Sequence, residues 1–446
     1  MTKTKKSSPP AFPDLGKKKK GNDLVGYGSY GCVYRPSLTC ADKNVDYTDT
    51  VSKLTTDEAA QKELQEFDKV AQVDKEKRFF LGKPTLCVPA FDEQSEIDAA
   101  DKCKILEDKE ASDYRLLILK DGGMDLDTFV RQLPKYSSPQ EVALFWVEVQ
   151  NLLKGLLFFQ RNGLVHNDIK PSNVVYRPDK NQLRFIDFGI MQEKDTMVRE
   201  SQNNNNWLSM FHWSLPFSQG FLNRGKYQTF VVGKGATSDD NFRNAVLLGT
   251  RSVPGLAPGT YDPFFQYISS SGKIEKDVVR FQVHEFLKWM NGFRSVDYNK
   301  FLDQAIPFID VHGLGFTLLF ALNWYGPYLT DEFYQGAYQI FFSMISYGFF
   351  NKSSLQKVLD DYEKLLESTS ILAVANKHFE NHVVMDGPPP QDDTTVEDLD
   401  SYRMSVASSS PSSPMQFEMT FGGGTRMKRM KGRRHGRKTK KQKRKL

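Results

Sequence analysis

The segment from His166 to Asn173, followed by Asp187-Phe188-Gly189, places the tightest constraint on how this chain folds. A capping box at Ser138–Glu141 opens a helical pattern before it. Two short apolar runs, residues 174–176 and 183–186, come after it and predict a pair of strands. The first motif is therefore expected on a loop between a helix and a strand pair, and the second directly after that pair.

The residue types in these two motifs match the needs of phosphoryl transfer. That reaction requires a proton acceptor for the substrate hydroxyl, a cation near the transferring phosphate and oxygen ligands for Mg²⁺. Asp168 supplies the first and Lys170 the second. Asn173 and Asp187 supply ligands for Mg²⁺, or for Mn²⁺ in its place. The alternative, turn residues flanking strands, is disfavoured because eight spaced positions and a second motif agree.

A glycine-rich turn near the start of the chain predicts a loop that covers phosphates. Glycines permit tight turns and let amide N–H groups approach phosphate oxygens. The pattern also marks dinucleotide-binding folds and ordinary hairpins, and a structural turn stays open for this motif alone. A dinucleotide loop opens onto a helix, whereas a strand follows here. The predicted ATP-binding residues are Val25, Gly26, Tyr27, Gly28, Ser29, Tyr30, Gly31 and Val33, with Lys53 and Asp187.

Lys53 lies on a predicted third strand, Thr50 to Leu54, and is a candidate for holding the α- and β-phosphates of ATP; a solvated surface lysine is the alternative. A phosphate-binding lysine needs a carboxylate to position it. Thr55 and Glu58 fit a capping box, which uses Glu58. At about 100° per residue, Glu63 lies about 60° from the centre of the apolar stripe and Glu66 about 120°. This difference favours Glu63 as the partner of Lys53.

These motifs, in this order and spacing, resemble the eukaryotic protein kinase superfamily over residues 21–380. Asp310-Val311-His312-Gly313-Leu314-Gly315 is similar to that family's Asp-x-Trp-Ser-Leu-Gly helix start, which implies that Asp310 braces the catalytic loop from beneath. Lys170, within Asp-x-Lys-Pro-x-Asn, resembles the serine/threonine class. The resemblance implies an ATP- and Mg²⁺-dependent serine/threonine protein kinase with Asp168 as its catalytic base.

Some details are most similar to kinases encoded by large nucleocytoplasmic DNA viruses. They are the Val-Ser-Lys-Leu strand, the hinge exit at Gly122–Leu126 and the Gly-Gly-Gly-Thr sequence before a polybasic ending.

The order of the elements, strands first and helices afterwards, predicts an α+β protein. With the resemblance, this becomes a two-lobed protein-kinase-like fold with a small β-rich N-lobe and a larger, mainly helical C-lobe. The expected organisation is a disordered basic arm (1–20), an ATP-binding N-lobe (21–121), a C-lobe (122–385) with a large insertion at about 218–305, a Pro/Ser/acidic linker (386–425) and a disordered basic tail (426–446).

Three features depart from the family pattern. Asn167 replaces the arginine of His-Arg-Asp, which in the family pairs with a phosphorylated activation loop, so we expect activity without loop phosphorylation. Phe217, after Pro216, stands where the family has a glutamate. In the family that glutamate pairs with an arginine deep in the helical lobe, so this ion pair is in doubt here. From Pro216 to Asp310 is 94 residues, far more than in ordinary members, so an insertion is expected beside the substrate platform.

Charge is distributed unevenly along the chain. Residues 426–446 carry +13 and residues 1–20 carry +6, so a net charge of +5 leaves −14 on residues 21–425. An acidic body excludes a basic nucleic-acid-binding domain. The tail is open to nuclear targeting, binding of nucleic acid, docking of an acidic partner or mere solubilisation. Binding of DNA through the tail would weaken steeply between low and physiological salt.

Four scattered cysteines, with no Cys-x-x-Cys pair, indicate free thiols in a reducing compartment and no zinc site. The N-terminus has no apolar run typical of a signal peptide. The most apolar stretches, residues 311–322 and 340–350, are shorter than the roughly 20 residues that span a bilayer, so no membrane partner is expected. We expect a soluble intracellular protein of the host cytoplasm, the nucleus or the virion, with a monomer as the default.

Two other functions stay open. A pseudokinase scaffold would use its insertion and tail to recruit partners, but no catalytic residue is missing here. A small-molecule kinase would explain the altered substrate platform, but such enzymes generally lack the pair Lys170-Pro171.

Overall fold

The computed structural model describes residues 22–28, 31–133, 138–203, 215–232, 276–293 and 297–376. The two basic arms, the linker, the loop residues Ser29 and Tyr30, and the middle of the expected insertion lie outside the described residues. The expectations for those segments stay predictions.

A five-stranded antiparallel sheet forms the N-terminal region. Its strands are β1 (Asp23–Gly28), β2 (Gly31–Arg35), β3 (Thr50–Thr56), β4 (Thr85–Cys87) and β5 (Tyr114–Lys120), in the order β1-β2-β3-β5-β4. The predicted hairpin and third strand are confirmed, whereas β4 carries no clear sequence signal. Because side chains alternate along a strand, Tyr34 and Leu54 face one side of the sheet, and Val33 and Lys53 the other.

The chain between β4 and β5 covers the first of these faces. It contains helix α2 (Gln94–Ala100) and two short 3₁₀ turns. The Tyr34 hydroxyl donates a hydrogen bond of 2.9 Å to the Ala99 carbonyl. The apolar residues that meet here are Cys32, Tyr34, Leu54, Leu116 and Ile118 from the strands and Ala99, Cys103 and Leu106 from the covering segment. The face of the sheet that carries Tyr34 and Leu54 thus has a hydrophobic core of its own.

Two disulfides hold this part of the molecule together. Cys32 on β2 pairs with Cys103 of the covering segment, with Cα atoms 5.9 Å apart. Cys40, in the loop after β2, pairs with Cys87 at the end of β4, with Cα atoms 5.8 Å apart. The expectation of free thiols is therefore wrong, since all four cysteines are paired. The strand order brings together cysteines that are 71 and 47 residues apart, which sequence spacing does not reveal.

Helix α1 (Asp57–Val73) follows β3 directly and packs its apolar face towards the sheet. The predicted capping box is wrong by one residue, since Thr56 is the N-cap and its hydroxyl accepts from the Ala59 amide. The reason is that Thr55 is paired on both sides within the sheet, with Gly31 and Arg115, whereas Thr56 is the last residue of β3 and is free to cap the helix.

The C-terminal region is mainly helical. Its helices are α3 (Leu126–Gln132), α4 (Pro139–Arg161), α5 (Lys194–Gln202), α6 (Arg224–Tyr227), α7 (Lys276–Asn291), α8 (Tyr298–Tyr325), α9 (Asp331–Met344), α10 (Phe349–Lys352) and α11 (Leu355–Ser368). The capping box at Ser138 is confirmed, with both the Ser138 and Glu141 side chains bonded to backbone amides. The helical pattern predicted after Ser138 is confirmed, and the apolar stripe of α4 is buried in the main core. The structure is thus mixed, with a β-sheet N-terminal region and a helical C-terminal region.

Helix α8 begins twelve residues earlier than the resemblance implied. The Asp310 motif was expected to start a helix, but the helix starts at Tyr298, after the N-cap Asp297. The preceding turns are helical because Phe301, Leu302, Ala305 and Ile306 repeat at helical spacing and are buried. This burial offsets the hydrogen bond lost at Pro307 in the helix interior.

Two helices, α4 and the segment from Tyr298 to Tyr328, are long and apolar enough to cross a membrane. The expectation that the apolar stretch at 311–322 is too short is therefore wrong as to length, because the helix continues on both sides. In the most apolar window of each helix, however, 72% and 94% of the residues are buried inside the protein. They form the core of the helical region, and such burial makes them weak evidence for a membrane.

Two small sheets frame the loop between α4 and α5. One contains β6 (Met124–Asp125), β8 (Val174–Arg177) and β9 (Gln182–Phe185); the other pairs β7 (Leu164–Val165) with β10 (Gln192–Glu193). The His166–Asn173 loop runs from β7 to β8, and the Asp187 motif runs from β9 to β10. Both motifs are therefore anchored at each end by paired strands.

Candidate active site

Lys53 and Glu63 form an ion pair between β3 and α1. The Lys53 Nζ donates to Glu63 Oε2 at 2.5 Å, and the two side chains are only 12% and 9% exposed. Glu66, the alternative carboxylate, pairs instead with Lys69. Burial raises the pKa of Glu63, and the Lys53 ammonium opposes this rise. The pair fixes α1 against the sheet at the position where the sequence predicts a phosphate-binding lysine.

The glycine-rich hairpin packs closely on β3. A Cβ at Gly31 would lie 2.3 Å from the carbonyl oxygen of Leu54, so only glycine fits there. Val33 pairs directly with Lys53 across β2 and β3, which puts their side chains on the same face. An irregularity between Leu24 and Gly26 leaves Val25 45% exposed. Gly28 pairs with Gly31, and the two turn residues between them lie outside the described part of the chain.

Asp168 lies at the centre of the loop between β7 and β8. Its Oδ2 accepts hydrogen bonds from Lys170 Nζ at 2.7 Å and from Asn173 Nδ2 at 2.8 Å. The same Asn173 nitrogen donates to the Asp168 carbonyl at 2.9 Å. Burial raises the pKa of Asp168, and the Lys170 ammonium opposes this rise. The structure thus brings together three of the predicted catalytic residues.

Asp310, inside α8, holds this loop from below. Its carboxylate accepts the amide N–H groups of His166 at 2.6 Å and Asn167 at 2.8 Å, which confirms the brace that the resemblance implied. Asn167 has a φ of 67°, in the left-handed region that asparagine adopts more readily than most residues. Burial raises the pKa of Asp310 to about 7, and its two amide hydrogen bonds act in the opposite direction.

Four rings connect α1 with this loop. Phe188 contacts Phe67 of α1, Phe80 before β4 and His166, with ring centroids 5.5, 6.1 and 5.0 Å apart. Sequence analysis assigned these four rings no role, and only the helical spacing of Phe67 indicated burial. Because Phe188 follows Asp187 directly, the contacts fix the Asp187 backbone relative to the helix that carries Glu63.

His166 is the buried end of these four rings. Its Nε2 lies 3.1 Å from the Ile186 carbonyl oxygen, so Nε2 carries the proton. Burial lowers the pKa of His166 to about 4, which keeps the imidazole neutral at physiological pH.

The residues present fit a divalent cation. Burial, together with the Asp187 carboxylate nearby, raises the pKa of both Glu63 and Asp168, and within the described part of the chain Lys53 and Lys170 are the cations that pair with these two groups. Because the Asn173 nitrogen donates to Asp168, its carbonyl oxygen is left for another partner. No group of three or more His, Cys, Asp or Glu suited to a metal occurs among the described residues. Mg²⁺ needs only one or two protein ligands beside phosphate oxygens.

Phe217 stands where the family has a bracing glutamate, and it is held by aromatic contacts instead. Its amide donates to the Tyr347 hydroxyl at 2.6 Å, and the two rings lie nearly parallel with centroids 6.2 Å apart. Phe286 of α7 packs against both rings, at 5.5 and 5.0 Å. No local pattern predicts this arrangement, because Tyr347 is 130 residues away.

The comparisons with known proteins point to kinases. No family model matches the chain. It is 36% identical over 86 residues to the B1 kinase of Vaccinia virus (strain Copenhagen), covering 18% of this chain and 26% of that protein. It is 32% identical over 108 residues to the dual specificity protein kinase TTK of Mus musculus, covering 23% and 12%. The serine/threonine-protein kinase Kist of Mus musculus is 33% identical over 67 residues, covering 15% and 16%.

The chain therefore resembles the protein kinase superfamily, and viral kinases are among its relatives. The matched part spans about a quarter of the length of the viral relatives and less of the others.

Proposed function

We propose that this chain is an ATP-dependent protein kinase with a two-lobed architecture that phosphorylates serine and threonine hydroxyls. One observation carries the proposal. The Lys53–Glu63 pair and the Asp168–Lys170–Asn173 cluster occur together, each anchored by a separate part of the fold. Residues that served only to form turns would not be expected to form these ion pairs and hydrogen bonds. The resemblance to named protein kinases agrees with it.

In this proposal each residue has a separate task. Lys53, positioned by Glu63, binds the α- and β-phosphates of ATP beneath the Gly26–Gly31 hairpin. Asp168 orients the acceptor hydroxyl and takes its proton, and its raised pKa makes it a stronger base than an exposed aspartate. Lys170, 2.7 Å from Asp168, stabilises negative charge on the transferring phosphate.

The divalent cation belongs to the same proposal. Asn173 through its carbonyl oxygen and Asp187 through its carboxylate would hold Mg²⁺ or Mn²⁺. The bound ion would supply neutralisation of the phosphate charges. The Asp168 hydrogen bonds orient the Asn173 amide for this task, and the ring contacts of Phe188 do the same for Asp187.

The test is transfer of labelled γ-phosphate from ATP·Mg²⁺ to a mixture of basic proteins, with wild type and Asp168→Asn compared. We expect labelled serine or threonine with wild type and a loss of about 10²- to 10⁴-fold in the variant. Asp92→Asn, at an exposed position, is the matched control and should be fully active. Binding of ATP by Asp168→Asn, measured separately, shows that the variant is folded.

Other outcomes would change the assignment. If wild type and Asp168→Asn both bind ATP and neither labels any protein, the scaffold or the small-molecule kinase replaces the protein kinase. Equal labelling by both proteins would show that Asp168 is not the base.

A further inference from the structure

A groove outside the candidate active site is formed where α7, the start of α8 and the segment around α10 meet. It has a cavity volume of about 340 Å³. Its principal lining residues are Lys288, Trp289, Phe293, Lys300, Tyr347 and Lys352. None of them belongs to the proposed catalytic machinery, and sequence analysis assigned no role to any of them.

The floor of the groove is aromatic and firmly held. The Trp289 ring contacts Phe293 and Tyr347, with centroids 4.8 and 5.7 Å apart. The Trp289 indole N–H donates to Gln304 Oε1 at 3.3 Å, and the Gln304 Nε2 donates in turn to Asn351 Oδ1 at 3.2 Å. A floor fixed by such contacts provides a preformed apolar seat for one large side chain.

The rim of the groove is basic. Lys288, Lys300 and Lys352 are exposed, and among the residues that the structure describes Glu285, 4.0 Å from Lys352, is the one acidic residue lining the groove. The excess of positive charge stands out because residues 21–425 carry −14 in total. A long polyanion such as nucleic acid would be repelled by the acidic body, whereas a short acidic segment needs only the rim.

The groove also contacts the end of the activation segment. Tyr347 forms part of its floor, and the Tyr347 hydroxyl accepts the Phe217 amide N–H at 2.6 Å. Phe217 stands where the resemblance places a glutamate, next to the insertion that is expected beside the substrate platform. Tyr347 is only 2% exposed, so a segment in the groove lies mainly on the Trp289 ring, and Tyr347, which holds Phe217, packs against that ring.

We propose that the groove docks an acidic segment of the protein substrate, with one aromatic or large aliphatic side chain on the Trp289–Phe293–Tyr347 floor and carboxylates beside the lysines. The inference rests on the proposed kinase function, and it names the class of substrate that the enzyme selects. Docking would raise the local concentration of the substrate hydroxyl near Asp168.

The first experiment locates the segment on the full-length protein. The probe is the peptide Ser-Asp-Glu-Phe-Asp-Glu-Leu-Ser with its phenylalanine replaced by photoreactive benzoylphenylalanine, and crosslinks are mapped by mass spectrometry. We expect crosslinks within residues 284–304 and 345–352. They should be lost when the peptide's acids are replaced by their amides and weakened about tenfold in the Lys288→Glu/Lys300→Glu variant. The matched control is Lys43→Glu/Lys364→Glu, which has the same net charge and alters exposed lysines elsewhere.

The second experiment measures kcat/KM for a short serine peptide, alone and fused to the acidic segment. The groove variant should lower kcat/KM about tenfold for the fused peptide and leave the short peptide unchanged. Crosslinks confined to residues 426–446, or equal kcat/KM for the fused peptide in both proteins, would overturn the docking proposal while the kinase proposal stands. Absence of phosphate transfer with the groove crosslinks intact would instead contradict the kinase function.

Discussion

Reduction of the two disulfides should remove a large share of the stability of the N-terminal region. In the chain-entropy description, a crosslink stabilises by restricting the unfolded chain, and the effect increases with loop length. Cys40–Cys87, with a separation of 47 residues, gives about 4 kcal/mol in this way. Its loop lies inside that of Cys32–Cys103, so closing it shortens the outer loop to roughly 25 residues and about 3.5 kcal/mol.

The two crosslinks together therefore contribute about 7.5 kcal/mol as an upper value. Typical proteins have a free energy of unfolding of about 5–15 kcal/mol, so the loss should be easily measurable. The assay is urea unfolding followed by tryptophan fluorescence, with and without a thiol-specific phosphine reductant. We expect the midpoint to fall sharply on reduction.

A variant with all four cysteines replaced by alanine is the control, since the reductant should not change its unfolding midpoint. Alkylation under denaturing conditions provides an independent check, because the oxidised protein should have no reactive thiol before reduction. Four alkylated cysteines without any reductant, or an unchanged urea midpoint on reduction, would refute the disulfide assignment.

Three further predictions concern the site. Glu63→Gln should lower kcat/KM by about 10- to 100-fold, because Lys53 loses the charge that positions it. Tyr347→Phe should lower the free energy of unfolding by about 1–3 kcal/mol, because the buried Phe217 amide loses its acceptor. His166, with a pKa lowered by burial to about 4, contributes stability above the unfolded pKa of 6.5 that is lost as the pH falls towards 4. Between pH 7 and 5 this loss is about 2 kcal/mol, and His166→Phe should abolish it.

Matched variants separate these effects from general damage. Glu66→Gln, on the same helix but paired with Lys69, should leave kcat/KM nearly unchanged. Tyr338→Phe, whose ring stacks on another ring of α9, should cost little stability. For His166 the measurement is the difference between wild type and variant at each pH. The pKa values of Asp310 and Glu148 are both raised to about 7, so these two groups make wild type and variant alike more stable as the pH falls, which is opposite to the effect of His166. An equal pH dependence in the two proteins would contradict the role of His166.

The sequence determined the features that depend on neighbouring residues. The capping box at Ser138, the apolar stripe of α4 and the strand pair after Asn173 all arise from local patterns, and the structure contains them. The choice of Glu63 over Glu66 as the partner of Lys53 also follows from the sequence, because helical geometry alone puts Glu63 closer to the buried face. Motif spacing supplied the candidate catalytic residues, whose roles the proposed experiments test.

The features that join distant parts of the chain depend on tertiary packing. The pairing of the cysteines depends on strand order, and the Phe217–Tyr347 brace spans 130 residues. Helix α8 starts at Tyr298, not at the Asp310 motif, because the side chains before the motif find a core to pack against. The lysine-rimmed groove likewise exists only where three segments meet. Local patterns specify an element, but the packing partners of a side chain are set by the whole fold, and no spacing in the sequence encodes them.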